Sequence, residues 1–121
     1  MARTPEGVVK DAVRKILDAL DVYYFMPPGM GFGVSGVFDI VCCVNGFFVG
    51  IECKRDAKTA PTALQTKAAQ QTQACGGVAF LANGDNMTEL AELLTRIKEY
   101  KYGVSWSSFW PFDSPAPFDK W

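Results

Sequence analysis

A chain of 121 residues, 49% hydrophobic and 21% charged, has the balance of one soluble globular domain and can bury a core without disulfide staples. A net charge of −1 excludes a protein that coats a polyanion, but leaves room for a nucleic-acid enzyme whose positive charge is local. The absence of His removes Ser-His-Asp and Cys-His catalysis and the usual His-rich zinc sites.

Cys42, Cys43, Cys53 and Cys75 show no C-x-x-C spacing and read as small buried hydrophobes in a reduced compartment. With no apolar signal core at the N-terminus and no membrane-length run, the expected location is the cytoplasm.

In chain order, Thr4-Pro5-Glu6 opens a helix: Thr as N-cap, Pro at the first position, an acid in the first turn. Val9, Val13, Ile16, Leu17 and Leu20 follow at helical spacing, and the helix ends near Asp21. Glu6 projects along the stripe of Val13 and Leu17, either as a dipole-favoured acid or as a site residue. Residues 22–26 form a strand, and 27–36 (PPGMGFGVSG) a loop bordering a site. Gly31, Gly33 and Gly36 match G-x-G-x-x-G, but no helix follows directly, so a dinucleotide fingerprint is rejected.

Residues 37–54 (VFDIVCCVNGFFVGIECK) organise the rest. Asn45-Gly46 between two β-rich runs is the strongest short-range signal for a two-residue hairpin turn. That turn sets Val44 against Phe47 and Cys43 against Phe48, and so Asp39 against Glu52. Alternation puts Lys54 on the face of Glu52, and Phe38, Ile40, Cys42, Val44, Phe47, Val49, Ile51 and Cys53 on a wholly apolar opposite face.

A polar, basic stretch follows, with Arg55 and Lys58. A second helix starts around Pro61–Gln65 and runs to Cys75, closed by Gly76-Gly77. Leu64, Ala68, Ala69 and Cys75 give it a narrow face for lying on a sheet, and Thr62-x-x-Gln65 reads as a capping box. Residues 78–81 form a short buried strand, and Asn86-x-x-Glu89 a second capping box. Leu90, Leu93, Leu94, Ile97 and Tyr100 then mark an amphipathic helix. Residues 1–102 thus make one domain. The extension 103–121 carries Trp106, Phe109, Trp110, Phe112, Phe118 and Trp121, read as a strap on its own domain or a second subunit, or as a base-stacking surface. The expected fold is α/β, a mixed sheet with an antiparallel hairpin and helices on both faces.

Two facing carboxylates repel unless a cation lies between them, and a divalent metal with oxygen ligands suits Asp39 and Glu52. Such an ion polarises an ester oxygen and lowers the pKa of bound water, while Lys54 orients that water or offsets growing charge. Phosphodiester hydrolysis needs these parts and no His. A salt-bridged sheet face, Lys54 merely neutralising Glu52, is the competing explanation, and it leaves Asp39 unexplained.

Asp39 followed by Glu52-Cys53-Lys54 after a β-turn, in an αβββαβ order, resembles the PD-(D/E)xK nuclease superfamily, and within it the virus-type replication–repair nuclease (VRR-NUC) branch. The similarity runs from about Pro5 to Leu81. It includes Glu6, Gly36-x-x-Asp39, Glu-x-Lys, Gln65, then Gly-Gly and a short apolar strand; the usual Pro before the Asp is Phe38 here. The resemblance implies a restriction-endonuclease-like core and Mg²⁺ or Mn²⁺ held by Asp39, Glu52 and the backbone carbonyl of Cys53, with Glu6 as a further ligand. It also implies Lys54 acting on the attacking water, with Glu6 and Gln65 supporting the site. Stand-alone members are similar to Holliday-junction resolvases, which implies a homodimer cutting branched DNA in a bacterial or phage-infected cytosol. Arg55, Lys58 and Lys67 are the expected phosphate contacts. A non-catalytic DNA-binding or assembly module with the same fold is the alternative.

Overall fold

The local grammar at each element end sets the architecture. In a computed structural model describing residues 3–28 and 36–101, the elements are α1 (Pro5–Ala19), β1 (Tyr23–Phe25), β2 (Ile40–Val44), β3 (Phe47–Cys53), α2 (Ala63–Ala74), β4 (Val78–Ala82) and α3 (Met87–Glu99). Thr4 caps α1 by accepting the Gly7 N–H at 3.0 Å, with Pro5 in the first turn; Asp21 leaves the helix at φ +55°. Thr62 and Gln65 cap α2 reciprocally, as their spacing predicts. The expected capping box at Asn86 does not form: its amide accepts the Asn83 N–H and donates to the Leu81 carbonyl, tying the β4–α3 turn together.

The strands lie in the order β1-β2-β3-β4. The first three are antiparallel, and β4 pairs parallel to β3 after the α2 crossover. Asn45 and Gly46 take φ +51° and +82°, the pair of positive values that a tight hairpin turn of this kind requires. The register is the expected one, with Val44 opposite Phe47 and Cys43 opposite Phe48, out to Ile40 opposite Ile51.

α1 and α3 cover one face of the sheet and α2 the other. The α1/α3 side holds the main core, in which Val13, Leu17, Ile40, Ile51, Phe80 and Leu93 are fully buried. The α2 side has a small separate cluster of Phe38, Ala69 and Ala79, with Val41 against it. Among the described residues, no helix is long and apolar enough to cross a membrane.

Three expectations need correction. Phe38 lies on the α2 face, not with Ile40 and Ile51, because the backbone bends at Asp39 and alternation stops there. Its ring drops into the hollow left by Gly50, where a Cβ would come within 2.4 Å of it. Leu64 is 53% exposed rather than packed on the sheet, since only Ala69 of α2 is buried. Cys43 and Cys75 are exposed free thiols, whereas Cys42 and Cys53 are buried as expected. The aromatic extension, Gly31 and Gly33 lie outside the described residues.

Candidate active site

The hairpin delivers its acids to the end of the sheet away from the turn. The ladder closes at Ile40–Ile51, and Asp39, one residue further, continues it with its side chain: Oδ2 accepts the Cys53 N–H at 2.9 Å. A carboxylate placed by a backbone bond of this kind is held in position before any ligand arrives. Glu52, between Ile51 and Cys53, points to the α2 face and is only 3% exposed. Its Oε2 is buried with no hydrogen-bond partner among the described residues.

An unpartnered buried oxygen is costly when charged, so the carboxyl holds its proton. Burial pushes the Glu52 pKa up to about 9, helped by hydrogen bonding to Asp39 and by the Asp39 charge; Lys54 pulls in the opposite direction. Near neutral pH burial thus favours a protonated Glu52, which would relieve the repulsion between two carboxylates in register.

The cation paired with these acids is one that sequence reasoning missed. Lys10 Nζ lies 3.6 Å from Asp39 Oδ1 and 3.7 Å from Glu6 Oε2. Burial works against the Lys10 charge, but Asp39 and then Glu6 outweigh it, and its pKa is raised. The signal was available: Glu6 and Lys10 are four apart in α1, the spacing at which helical side chains meet. Glu6 itself stays half-exposed at the mouth of the helix, linked to Asp39 through Lys10.

Lys54 is buried to 9% exposure, its N–H donating to the Ala82 carbonyl at 2.8 Å, and its side chain lines a cleft of about 550 Å³ with Thr4, Pro5, Glu6, Arg55 and Thr59. The cleft wall after Lys54 is a built turn. Asp56 Oδ1 accepts from the Lys58 N–H and from the Thr59 N–H and hydroxyl, each at 2.9 Å. The Thr59 hydroxyl bond is the chief reason that the Asp56 pKa is lowered. Arg55 Nε donates to Thr59 Oγ1 at 3.2 Å, which leaves its guanidinium two-thirds exposed at the cleft rim.

The structure thus brings Asp39, Glu52, Lys10 and Glu6 together at one end of the hairpin, with Lys54 and Arg55 on the adjoining cleft. Lys58 stands exposed on the Asp56 turn. Gln65 Oε1 is committed to the α2 cap, accepting the Thr62 N–H at 2.8 Å. Lys67 lines a different hollow, on the α2 side beside Val37 and Phe48.

Among the described residues, no group of three or more His, Cys, Asp or Glu side chains is placed to hold a metal ion. A metal here would take two side-chain carboxylates and complete its shell from backbone and water, a donor set of the kind that suits Mg²⁺ or Mn²⁺. The buried, unpartnered Glu52 oxygen beside a fixed Asp39 fits such an ion, whose binding would satisfy it.

Comparison with family models, with curated proteins and with solved structures returns no match to this chain.

Proposed function

We propose that this protein is a divalent-metal-dependent endonuclease that hydrolyses phosphodiester bonds in DNA, acting as a homodimer on branched or replication intermediates. One observation carries the reading: Glu52 is buried beside Asp39 with an oxygen unpartnered among the described residues, two positions before Lys54, which lines a cleft with Arg55. A fold gains nothing from that oxygen unless a ligand completes it.

Asp39 and Glu52 would hold Mg²⁺ or Mn²⁺ together with the Cys53 carbonyl. In a strand, a residue's N–H and C=O point to the same side, and the Cys53 N–H points to Asp39. When bound, the ion polarises the phosphoryl oxygen and lowers the pKa of water. Glu52 gives up its proton on ligation, so occupancy of the site rises with pH. Lys54, held by the β3–β4 ladder, presents its ammonium to the charge that builds on the phosphate. Lys10, 3.6 Å from Asp39 on the α1 side, pairs with that carboxylate and would give way to the ion. Arg55 and Lys58 supply contacts to flanking phosphates, which position the backbone without reading sequence. Gln65 supports the site indirectly, by fixing the start of α2.

The test is a cleavage panel of four-way junction, flap and linear DNA with Mg²⁺ or Mn²⁺. Cutting is expected on branched DNA, lost with chelator and lost in Asp39→Ala and Glu52→Ala. Cutting that survives either substitution rejects the assignment. A readout free of turnover is thermal stability, which should rise on adding Mn²⁺ to the wild type and not to Glu52→Ala.

A second reading is favoured by the Lys10–Asp39 pair and the proton on Glu52, which neutralise the site with no metal present. On that reading the protein is a DNA-binding or assembly module, which binds DNA without turnover and is indifferent to chelator.

A further inference from the structure

The α2 face of the sheet carries an apolar groove that no described residue covers. Phe38, Val41 and Phe48 make its floor and Leu64 its wall, enclosing about 430 Å³. A second hollow of about 390 Å³ continues it past Phe48 to Cys75 and Gly77. Phe48 is 45% exposed, Leu64 53% and Val37 41%, a contiguous apolar surface of the kind that marks an interaction site.

The end of α3 lies at the hairpin end of the sheet, on the face opposite the groove. The Asn45 amide donates to the Ile97 and Tyr100 carbonyls at 3.0 and 2.8 Å, and the Tyr100 ring meets Phe47 edge-on at 5.5 Å. Phe48, the next residue of β3, points to the opposite face and into the groove. Residue 101 therefore stands at the hairpin end, across the sheet from the groove's mouth at Phe48. Residues 102–121 follow, up to roughly 65 Å when extended, more than twice the ~30 Å width of a small domain. They bring six Phe and Trp side chains, spaced by Ser and Pro, with Asp113 and Asp119 to complement Lys67 on the groove's rim.

We propose that residues 102–121 dock in this groove on their own chain, their aromatic side chains covering Phe48 and Leu64. Aromatic side chains bury large areas at low entropic cost, and tethering at the hairpin end makes the local concentration of the segment high. The groove also includes Gly36, Val37 and Phe38, so the docked segment rests on the backbone leading into Asp39.

All three Trp of the chain (Trp106, Trp110 and Trp121) lie in this segment, so its environment can be read in the full-length protein from Trp fluorescence. The wild type should emit at a blue-shifted wavelength and resist acrylamide quenching. The double variant Phe48→Ser/Leu64→Gln, at positions already half-exposed, should shift emission to the red and raise quenching several-fold with unchanged far-UV circular dichroism. Val8→Gln, at an exposed position on α1, should leave both unaltered. Modification of the Cys75 thiol, followed by peptide mass, should be slow in the wild type and faster in the double variant. Solvent-like wild-type emission, or emission and Cys75 reactivity unmoved by the double variant, overturns the proposal. So does a blue shift that vanishes on dilution, which would assign the occupant to a second copy.

Discussion

The two faces of the sheet serve different ends. On the α1/α3 side every inward residue of β2 and β3 is aliphatic, Cys or Phe, and Ile40, Val49 and Ile51 are sealed from solvent. On the α2 side β3 presents Phe48, half-exposed; Gly50, with no side chain; then Glu52, buried and polar, with buried Lys54 just past the strand end. A single period-two pattern has written a sealed apolar face and one with a buried acid into the same strands. The lesson is that a polar pair is tolerated inside this domain because the opposite face supplies the cohesion.

The largest effect should separate the faces directly. Leu93→Ala, in the sealed core, should cost about 2–5 kcal/mol, while Gln70→Ala, exposed on α2 away from the groove, should stay within about 0.5 kcal/mol. Chemical denaturation of both variants measures this, and equal losses would erase the distinction.

The second test is titration of the Glu52 face in metal-free buffer. Folded Glu52 keeps its proton up to a pKa of about 9, whereas the unfolded carboxyl loses it near 4.5. Between those values the native state binds more protons, so stability should fall as pH rises through this window and level off above it. The drop should be on the order of a few kcal/mol, and Glu52→Gln should remove it and be the more stable protein at pH 8–9. A wild-type slope retained in Glu52→Gln would show that Glu52 is not the group responsible.

Gly50→Ala comes next. Its added methyl would stand 2.4 Å from the Phe38 ring, so the ring must move and carry the neighbouring Asp39 with it. The expected cost is about 1–3 kcal/mol from overpacking, together with weaker stabilisation by Mn²⁺ than in the wild type. Unchanged Mn²⁺ stabilisation would uncouple Phe38 from the site.

The smallest effect is on Lys10, which competes with any cation for Asp39. Lys10→Met should change thermal stability by about 1 kcal/mol or less and tighten Mn²⁺ binding in a calorimetric titration. Weaker Mn²⁺ binding would mean that Lys10 orients Asp39 for the ion instead of opposing it.

Much of this arrangement was legible in the amino-acid order, because its determinants are local. Asn45-Gly46 fixes the hairpin register through positive φ, and Thr4-Pro5 and Thr62-Gln65 mark their helix starts by short-range bonds. The facing of Asp39 and Glu52 follows from that register. What was not legible depends on where regular structure stops or on which surface a neighbour happens to use. Phe38 could not be assigned to the α2 side without knowing that the strand begins at Ile40. Asn86 has the residue type of a cap, yet its amide bridges a turn whose geometry is tertiary. Lys10 reaches Asp39 only because α1 crosses that end of the sheet. Leu64 and Cys75 follow a sheet-packing stripe, but the packed position of α2 is Ala69 alone.

The Asn45 amide reaches carbonyls 52 and 55 residues downstream. During synthesis the whole hairpin is made before either acceptor, so the socket precedes its plug. Seating of α3 then follows formation of the hairpin and depends on it. Amide exchange at Ile97 and Tyr100 should accordingly outpace that of the hairpin itself.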